Sequence, residues 1–371
     1  MPTFTTGADT YTISAAGTYA LDMLGGDDRL NVYAGSNVTA HLGDGNDLAI
    51  LKAGLNTTFG DAGADRIDIY AANAVVDGGA DNDTINARGG YGLSAHGGFG
   101  ADRFNFLADT SSVTLYGDDG ADLFVGYNHN VTGSLYGGAG NDFFTQFRAG
   151  VTLIGGLGND VYRLTIGPYP TIIENAGEGV DTVQIPRGCD YKLPDNVENV
   201  SVLQIPGSTL LEPTIVGNAL DNRIIGHDND ETLAGEAGND RLIGNGGSDT
   251  LFGSWGADRL SGGAGVDGFF YEEIGDSSLT LGYDTITDFE AGVDWIDLLE
   301  IDADTTKDGL QAFNTNGTST HTPGDLWITP YGAAGSANYM LYGDVNGDGH
   351  PDFQIRIHLA SGSIDQINIV Y

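Results

Sequence analysis

The sequence predicts an all-β fold: a parallel β-roll, in which short strands wind as a solenoid, followed by a β-rich C-terminal module. Three observations lead there. From residue 235 to 270 one nine-residue phrase runs four times without a gap, as GEAGNDRLI, GNGGSDTLF, GSWGADRLS and GGAGVDGFF, and a fixed period of this kind marks a repeat architecture. Residues 28–162 carry a related loop at double the period. The apolar residues also keep phase with the acidic ones. Leu30, Ile67, Ile85, Phe104, Phe124, Phe144 and Tyr162 each fall two places after an Asp, where a period-two strand puts an inward side chain. Flexible glycine-rich linkers have no such phased position.

The phrase Gly-x-x-Gly-x-Asp-x-apolar-x reads as a loop followed by a short strand. Its glycines let the backbone turn with positive φ and aim carbonyls at one spot, while the Asp adds charge to an oxygen-rich cage suited to calcium. The candidate ligand positions are Gly235, Gly238 and Asp240, then Gly244, Gly247 and Asp249, then Gly253, Gly256 and Asp258, and finally Gly262, Gly265 and Asp267. In these residues the chain resembles the repeats-in-toxin (RTX) family of hemolysin-type calcium-binding proteins. The resemblance implies that two phrases, eighteen residues, make one coil, so Asp240 stacks on Asp258 and Asp249 on Asp267. It also implies that each calcium sits between two stacked loops and takes carbonyl oxygens and carboxylates from both. Two phrases upstream, GNALDNRII and GHDNDETLA, carry Asn222 and Glu231 in place of Asp and read as weakened end repeats.

The N-terminal loops are centred on Asp28, Asp47, Asp65, Asp83, Asp102, Asp122, Asp142 and Asp160, at spacings of 19, 18, 18, 19, 20, 20 and 18 residues. One turn per coil keeps the acidic loop. The opposite turn is an ordinary polar one, as at Ala34-Gly35-Ser36-Asn37, Ala53-Gly54-Leu55-Asn56 and Tyr127-Asn128-His129-Asn130. The expectation is a one-sided ladder of seven inter-loop gaps, each coil rising about 4.8 Å.

Composition adds a mechanism. Asp and Glu number 52 against 14 Lys and Arg, for a formal net charge of -38. Many of those carboxylates fall in stacked columns, so the chain is expected to be largely unfolded until calcium neutralises them. The same charge disfavours nucleic acid and anionic membrane surfaces as partners. A single cysteine, Cys189, excludes an intrachain disulfide framework. No apolar run reaches membrane-spanning length, and MPTFTTGADT has neither the basic start nor the apolar stretch of a signal peptide. Calcium loops of this extracellular style stay mostly empty in cytosol. The ending SIDQINIVY resembles the uncleaved C-terminal export signal of the family, implying a type I exporter and a secreted or cell-surface protein; a strand that closes the domain is the other reading of the same residues.

Four segments are expected: a one-sided roll over 1–163, a bridging β-segment over 164–216, a two-sided nonapeptide roll over 217–270, and a C-terminal module over 271–371. In the bridge, IIENAGEGVDTVQI and LPDNVENVSVL resemble the spacer between RTX arrays, with Glu174, Gly179, Asp181, Leu193 and Glu198 at recurring positions. In the last segment, YDTITDFEAGVDWIDLLEID and GDVNGDGHPDFQIRI resemble the C-terminal module of serralysin-type secreted proteases. Asp344, Asn346, Asp348 and Asp352 have the one-three-five-nine spacing of an acidic calcium loop with Gly349 at the sixth place, but Ile355 stands where the twelfth-position Glu belongs. An Asn-Gly/Asp-Gly hairpin turn is the rival reading there.

No HExxH zinc helix, G-x-S-x-G elbow or phosphate loop occurs, so the chain is expected not to be an enzyme. His96 and His227 read as polar turn residues. The function expected is that of a secreted calcium-binding protein with a structural or adhesive role at or beyond the cell surface, meeting cell-surface polysaccharide or surface-layer components. A hydrolase with its chemistry in residues 310–342, or an accessory chain to an enzyme, is the competing class. A minor alternative rests on Thr39, Thr57, Val75, Ser94, Thr114, Ser134 and Thr152, a near-unbroken column of hydroxyls that could face ice or a regular glycan.

Overall fold

The computed structural model describes residues 3–34, 37–203, 212–280, 282–315, 320–333 and 335–371; the expected turn at Gly35 and Ser36 lies outside them. No α-helix occurs among the described residues, which form strands, turns and two short 3-10 segments. The chain separates into two units, Met1–Gln184 and Ile185–Tyr371.

The first unit is a parallel solenoid with two sheets. One holds the short strands that follow the acidic loops, including Arg66–Ile69, Thr84–Ala87, Arg103–Phe106, Leu123–Val125 and Phe143–Thr145. The other holds the strands that lead into the loops, including Leu55–Ala62, Val75–Ala80, Ser94–Phe99, Thr110–Asp119, Val131–Ala139 and Val151–Leu157. Residues of equal rank in consecutive coils pair directly, as Ile67 with Ile85, Ile85 with Phe104, and Phe104 with Phe124. The phased apolar residues therefore stack on their counterparts inside the coil. Phe104, Phe124, Phe144 and Tyr162 form one column with ring centroids 4.6, 4.7 and 5.2 Å apart, and all four are buried.

The hydroxyl column is also real in register: Thr39 pairs with Thr57, Thr57 with Val75, Val75 with Ser94, and so on to Thr152. The next outward column holds His41, Phe59, Asp77, His96, Tyr116 and Tyr136. Among the described residues that column carries no row of Ser or Thr. His96 is not a turn residue as expected. It lies within strand Ser94–Phe99, stacks on Tyr116 at 4.5 Å and contacts the Asp118 carboxylate; the stacking partner one coil on, invisible locally, holds it in the strand.

The second unit repeats the plan with an acidic loop on both turns. Leu242 stacks on Leu260 in one sheet and Leu233 on Leu251 in the other. Beyond residue 270 both sheets continue: Thr285–Glu290 and then Phe353–Ser361 extend one, Trp295–Asp297 and then Asn368–Val370 extend the other. Overlapping the stretch 310–342, Asp325–Pro330 and Asn338–Asp344 form an antiparallel pair that docks on Phe353–Ser361; residues 316–319 and 334 of that stretch lie outside the described set.

Candidate metal centres

One hydrogen bond recurs between each acidic loop and the next. The backbone amide of each ladder Asp donates to Oδ1 of the Asp one coil on: Asp28 to Asp47 at 2.6 Å, Asp47 to Asp65 at 2.7 Å, Asp65 to Asp83 at 2.8 Å, Asp83 to Asp102, Asp102 to Asp122 and Asp122 to Asp142 at 2.7 Å, and Asp142 to Asp160 at 2.7 Å. In the second unit Asp240 donates to Asp258 at 2.7 Å and Asp249 to Asp267 at 2.9 Å. The expected stacking is therefore the observed one.

The other carboxylate oxygen has no such partner. Oδ2 of Asp28, Asp47, Asp65, Asp83, Asp102, Asp122, Asp142 and Asp160, and of Asp240, Asp249, Asp258 and Asp267, is buried without a hydrogen bond. These Asp residues are at most 3 % exposed. A buried carboxylate oxygen left unmatched is costly, and here it recurs at every rung. In most coils Oδ2 points at the glycine five residues earlier, and the carbonyl of the matching glycine one coil on lies beside it, as for Asp83 with Gly78 and Gly97, or Asp240 with Gly235 and Gly253. The orphan oxygens and stacked glycine carbonyls supply the hard-oxygen donors that a calcium ion takes. The fourth-position glycines bring the coils this close. Gly140, at φ 135°, has the carbonyl oxygen of Gly120 where a Cβ would stand.

Without a cation, burial is the main force on these acids. It pushes Asp65 and Asp142 up to about 8, with the neighbouring ladder carboxylates adding to the rise, and does the same to Asp240 and Asp249. Asp83, Asp122 and Asp160 rise to about 7 for the same first reason.

The ladders are longer than the sequence reading made them. Asp9 donates to Asp28 at 2.7 Å and Asp160 to Asp181 at 2.8 Å, so the first unit has nine links rather than seven. In the second unit Asn222 donates to Asp240 and Glu231 to Asp249, while Asp258 donates to Asp284 and Asp267 to Asp294. Asp9, Asp284 and Asp294 were missed. Each carries the reduced signature Gly-x-Asp-x-apolar, at Gly7-Ala8-Asp9-Thr10-Tyr11, Gly282-Tyr283-Asp284-Thr285-Ile286 and Gly292-Val293-Asp294-Trp295-Ile296; for the last two the coil grows from 18 to 26 and 27 residues, which breaks the period.

The segment at Asp344 is built differently. It joins two antiparallel strands, and both Asp344 oxygens accept backbone amides, from Gly347 at 2.6 Å and Gly349 at 2.9 Å. Asp352 accepts from the Val345 amide at 2.8 Å and from the Asn346 side chain at 2.8 Å, and Asn346 accepts from the Asp348 amide. The unmatched oxygens of the ladders have no counterpart in Asp344, and the loop has the bonding of a closed hairpin turn. Cys189 is free and half-buried.

Among the described residues one group of three acidic side chains gathers its ligand atoms within 4.8 Å of one another: Asp160, Glu174 and Asp181, all buried. The Tyr162 hydroxyl donates to Glu174 Oε1 there.

The family comparison agrees with this architecture. The family described as peptidase M10 serralysin C terminal matches residues 38–367. No curated protein sequence matches the chain. Among solved structures, the chain is similar to the AlgE6R2 subunit of the mannuronan C5-epimerase of Azotobacter vinelandii at 25% identity, covering 41% of this chain and 90% of that one with a TM-score of 0.30. It is similar to the AlgE6R3 subunit of the same enzyme at 24% identity, covering 44% and 84% with a TM-score of 0.31. The family match takes in the second ladder and the first from Asp47 onward, and the chain belongs to the serralysin C-terminal family, the RTX-type calcium-binding β-roll repeats found in secreted proteins.

Proposed function

We propose that this chain is a secreted structural or adhesive protein whose roll is assembled by calcium once it leaves the cell. The single observation behind the reading is the row of buried, unmatched Asp Oδ2 atoms that repeats along each ladder. Calcium held between successive loops would neutralise the carboxylate columns and satisfy those oxygens together. The residues that would hold it are the ladder Asp side chains with the carbonyls of the stacked glycines. Low cytosolic calcium would leave the columns repelling one another, so the chain would stay open for a type I exporter and fold outside. The charge of -38 fits a partner that is neutral or bridged by the same cation, such as surface polysaccharide or a surface layer. No hydrolytic chemistry is assigned to the chain: purified, calcium-loaded protein is expected to leave casein, ester and polysaccharide substrates intact.

The test is a calcium titration followed by circular dichroism. The metal-free chain at neutral pH is expected to be coil-like and to become β-rich as calcium is added into the millimolar range or below. Replacing Asp240, Asp249, Asp258 and Asp267 together by Asn should raise the calcium midpoint. A chain already β-rich and protease-resistant in excess chelator would overturn the reading.

A further inference from the structure

The first position of each acidic loop forms its own column along the roll. In the first unit Gly60, Gly78, Gly97, Gly117, Gly137 and Gly155 stack in it, and the missing side chains leave the space into which Asp Oδ2 points. The two ends of that column differ. At the N-terminal end the place is held by Met23 and Leu42, both fully buried and apolar. At the C-terminal end Ile154 pairs with Ile173, so the place after Gly155 falls to Glu174. Its side chain is 4 % exposed and turns into the space the glycines keep open. Around Gly155 converge Oδ2 of Asp160, Oε1 of Glu174 and the hydroxyl of Tyr162. Asp160 is fully buried and its Oδ2 has no hydrogen-bond partner. Asp181 closes the group by accepting the Asp160 amide through Oδ1 at 2.8 Å.

We propose that Asp160, Glu174 and Asp181 form a terminal calcium site, distinct in composition from the gaps upstream, that fills first and seeds the first-unit roll. An ordinary gap offers two ladder carboxylates and glycine carbonyls. This one replaces a glycine by a third carboxylate, and calcium affinity rises with the number of charged ligands. Tyr162 stands beside the ion through its bond to Glu174. The proposal rests on the calcium reading given above, and the two can fail separately.

Terbium is the probe, because it accepts the same hard-oxygen ligands and emits when a tyrosine close by absorbs ultraviolet light. The full chain in chelator-cleared buffer is titrated with terbium and then with competing calcium. The first equivalent is expected to give tyrosine-sensitised emission, displaced by the lowest calcium concentrations in the series. Tyr162→Phe should abolish that phase. The isosteric Glu174→Gln should keep the chain foldable at saturating calcium while weakening the first phase on the order of tenfold, for the loss of one charged ligand. Tyr271→Phe removes the tyrosine placed beside Asp258 and Asp284 in the second unit and should leave the first phase in place. If Tyr162→Phe and Glu174→Gln each leave it unchanged while calcium still induces β-structure, the terminal site is wrong and the loop reading stands. If the unaltered chain shows no calcium response at all, both fall.

Discussion

At the scale of single residues, the ladder carboxylates govern how the chain responds to protons. Burial holds Asp65, Asp142, Asp240 and Asp249 up to about 8 in the metal-free fold, against about 4 in an unfolded chain. Between those values the folded state binds more protons than the unfolded one, so stability is greatest at the acid end and falls as pH rises through the window. In chelator, β-structure followed by circular dichroism should therefore be greatest near pH 4 to 5 and be lost as pH rises toward 7, where the metal-free chain is coil-like. With saturating calcium the slope should reverse, since the ion binds the deprotonated carboxylate and releases protons. Asp142→Asn should flatten the metal-free profile and weaken the calcium-loaded fold. The positions of these Asp were fully legible in the sequence, because the loop chemistry is local. Asp9, Asp284 and Asp294 were hidden because their coils lack the leading glycine or carry inserted residues, and only pairing across coils exposes them.

At the scale of the element, one coil is held by close backbone approach at its turn and by the stack in its interior. Gly140 and Gly167 both have positive φ, 135° and 130°, but the Gly120 carbonyl fills the Cβ place at Gly140 while nothing lies within 4 Å of it at Gly167. Gly167→Ala should cost about 1 to 2 kcal/mol from backbone conformation alone. Gly140→Ala should cost at least about 3 kcal/mol, measured by denaturant in calcium, because two coils must also part. Phe124 sits between Phe104 and Phe144 at 4.6 and 4.7 Å, and Phe124→Ala is expected to cost about 3 to 5 kcal/mol. The strand after each Asp could be read from its phased apolar residue. The fate of residues 310–342 could not, because the antiparallel pair Asp325–Pro330 and Asn338–Asp344 finds its third partner only at Phe353–Ser361. His96 went astray for a like reason: its strand placement depends on Tyr116, twenty residues away.

At the scale of the molecule, the C-terminal residues have a place in the fold. Strand Asn368–Val370 pairs with Trp295–Asp297, so the segment that resembles an export signal is also the last rung of a sheet. Deleting residues 364–371 is expected to retain the protein inside cells. Calcium refolding of the purified truncated chain separates the two roles: a truncated chain that still folds, and is still retained, assigns the defect to export. The direct coil-to-coil register has another consequence. Leu48 pairs with Arg66 and Arg66 with Thr84, one 18-residue coil apart, and Asp47, Asp65 and Asp83 keep the same interval. Excising residues 66–83 joins Asp65 to Thr84 and leaves every remaining neighbour relation intact, because each coil meets only the one before and the one after. The first unit thus behaves as a ruler with removable graduations, and such an excision should shorten it by a single step of about 4.8 Å with no change of plan: evolution can set its length by copying or dropping coils.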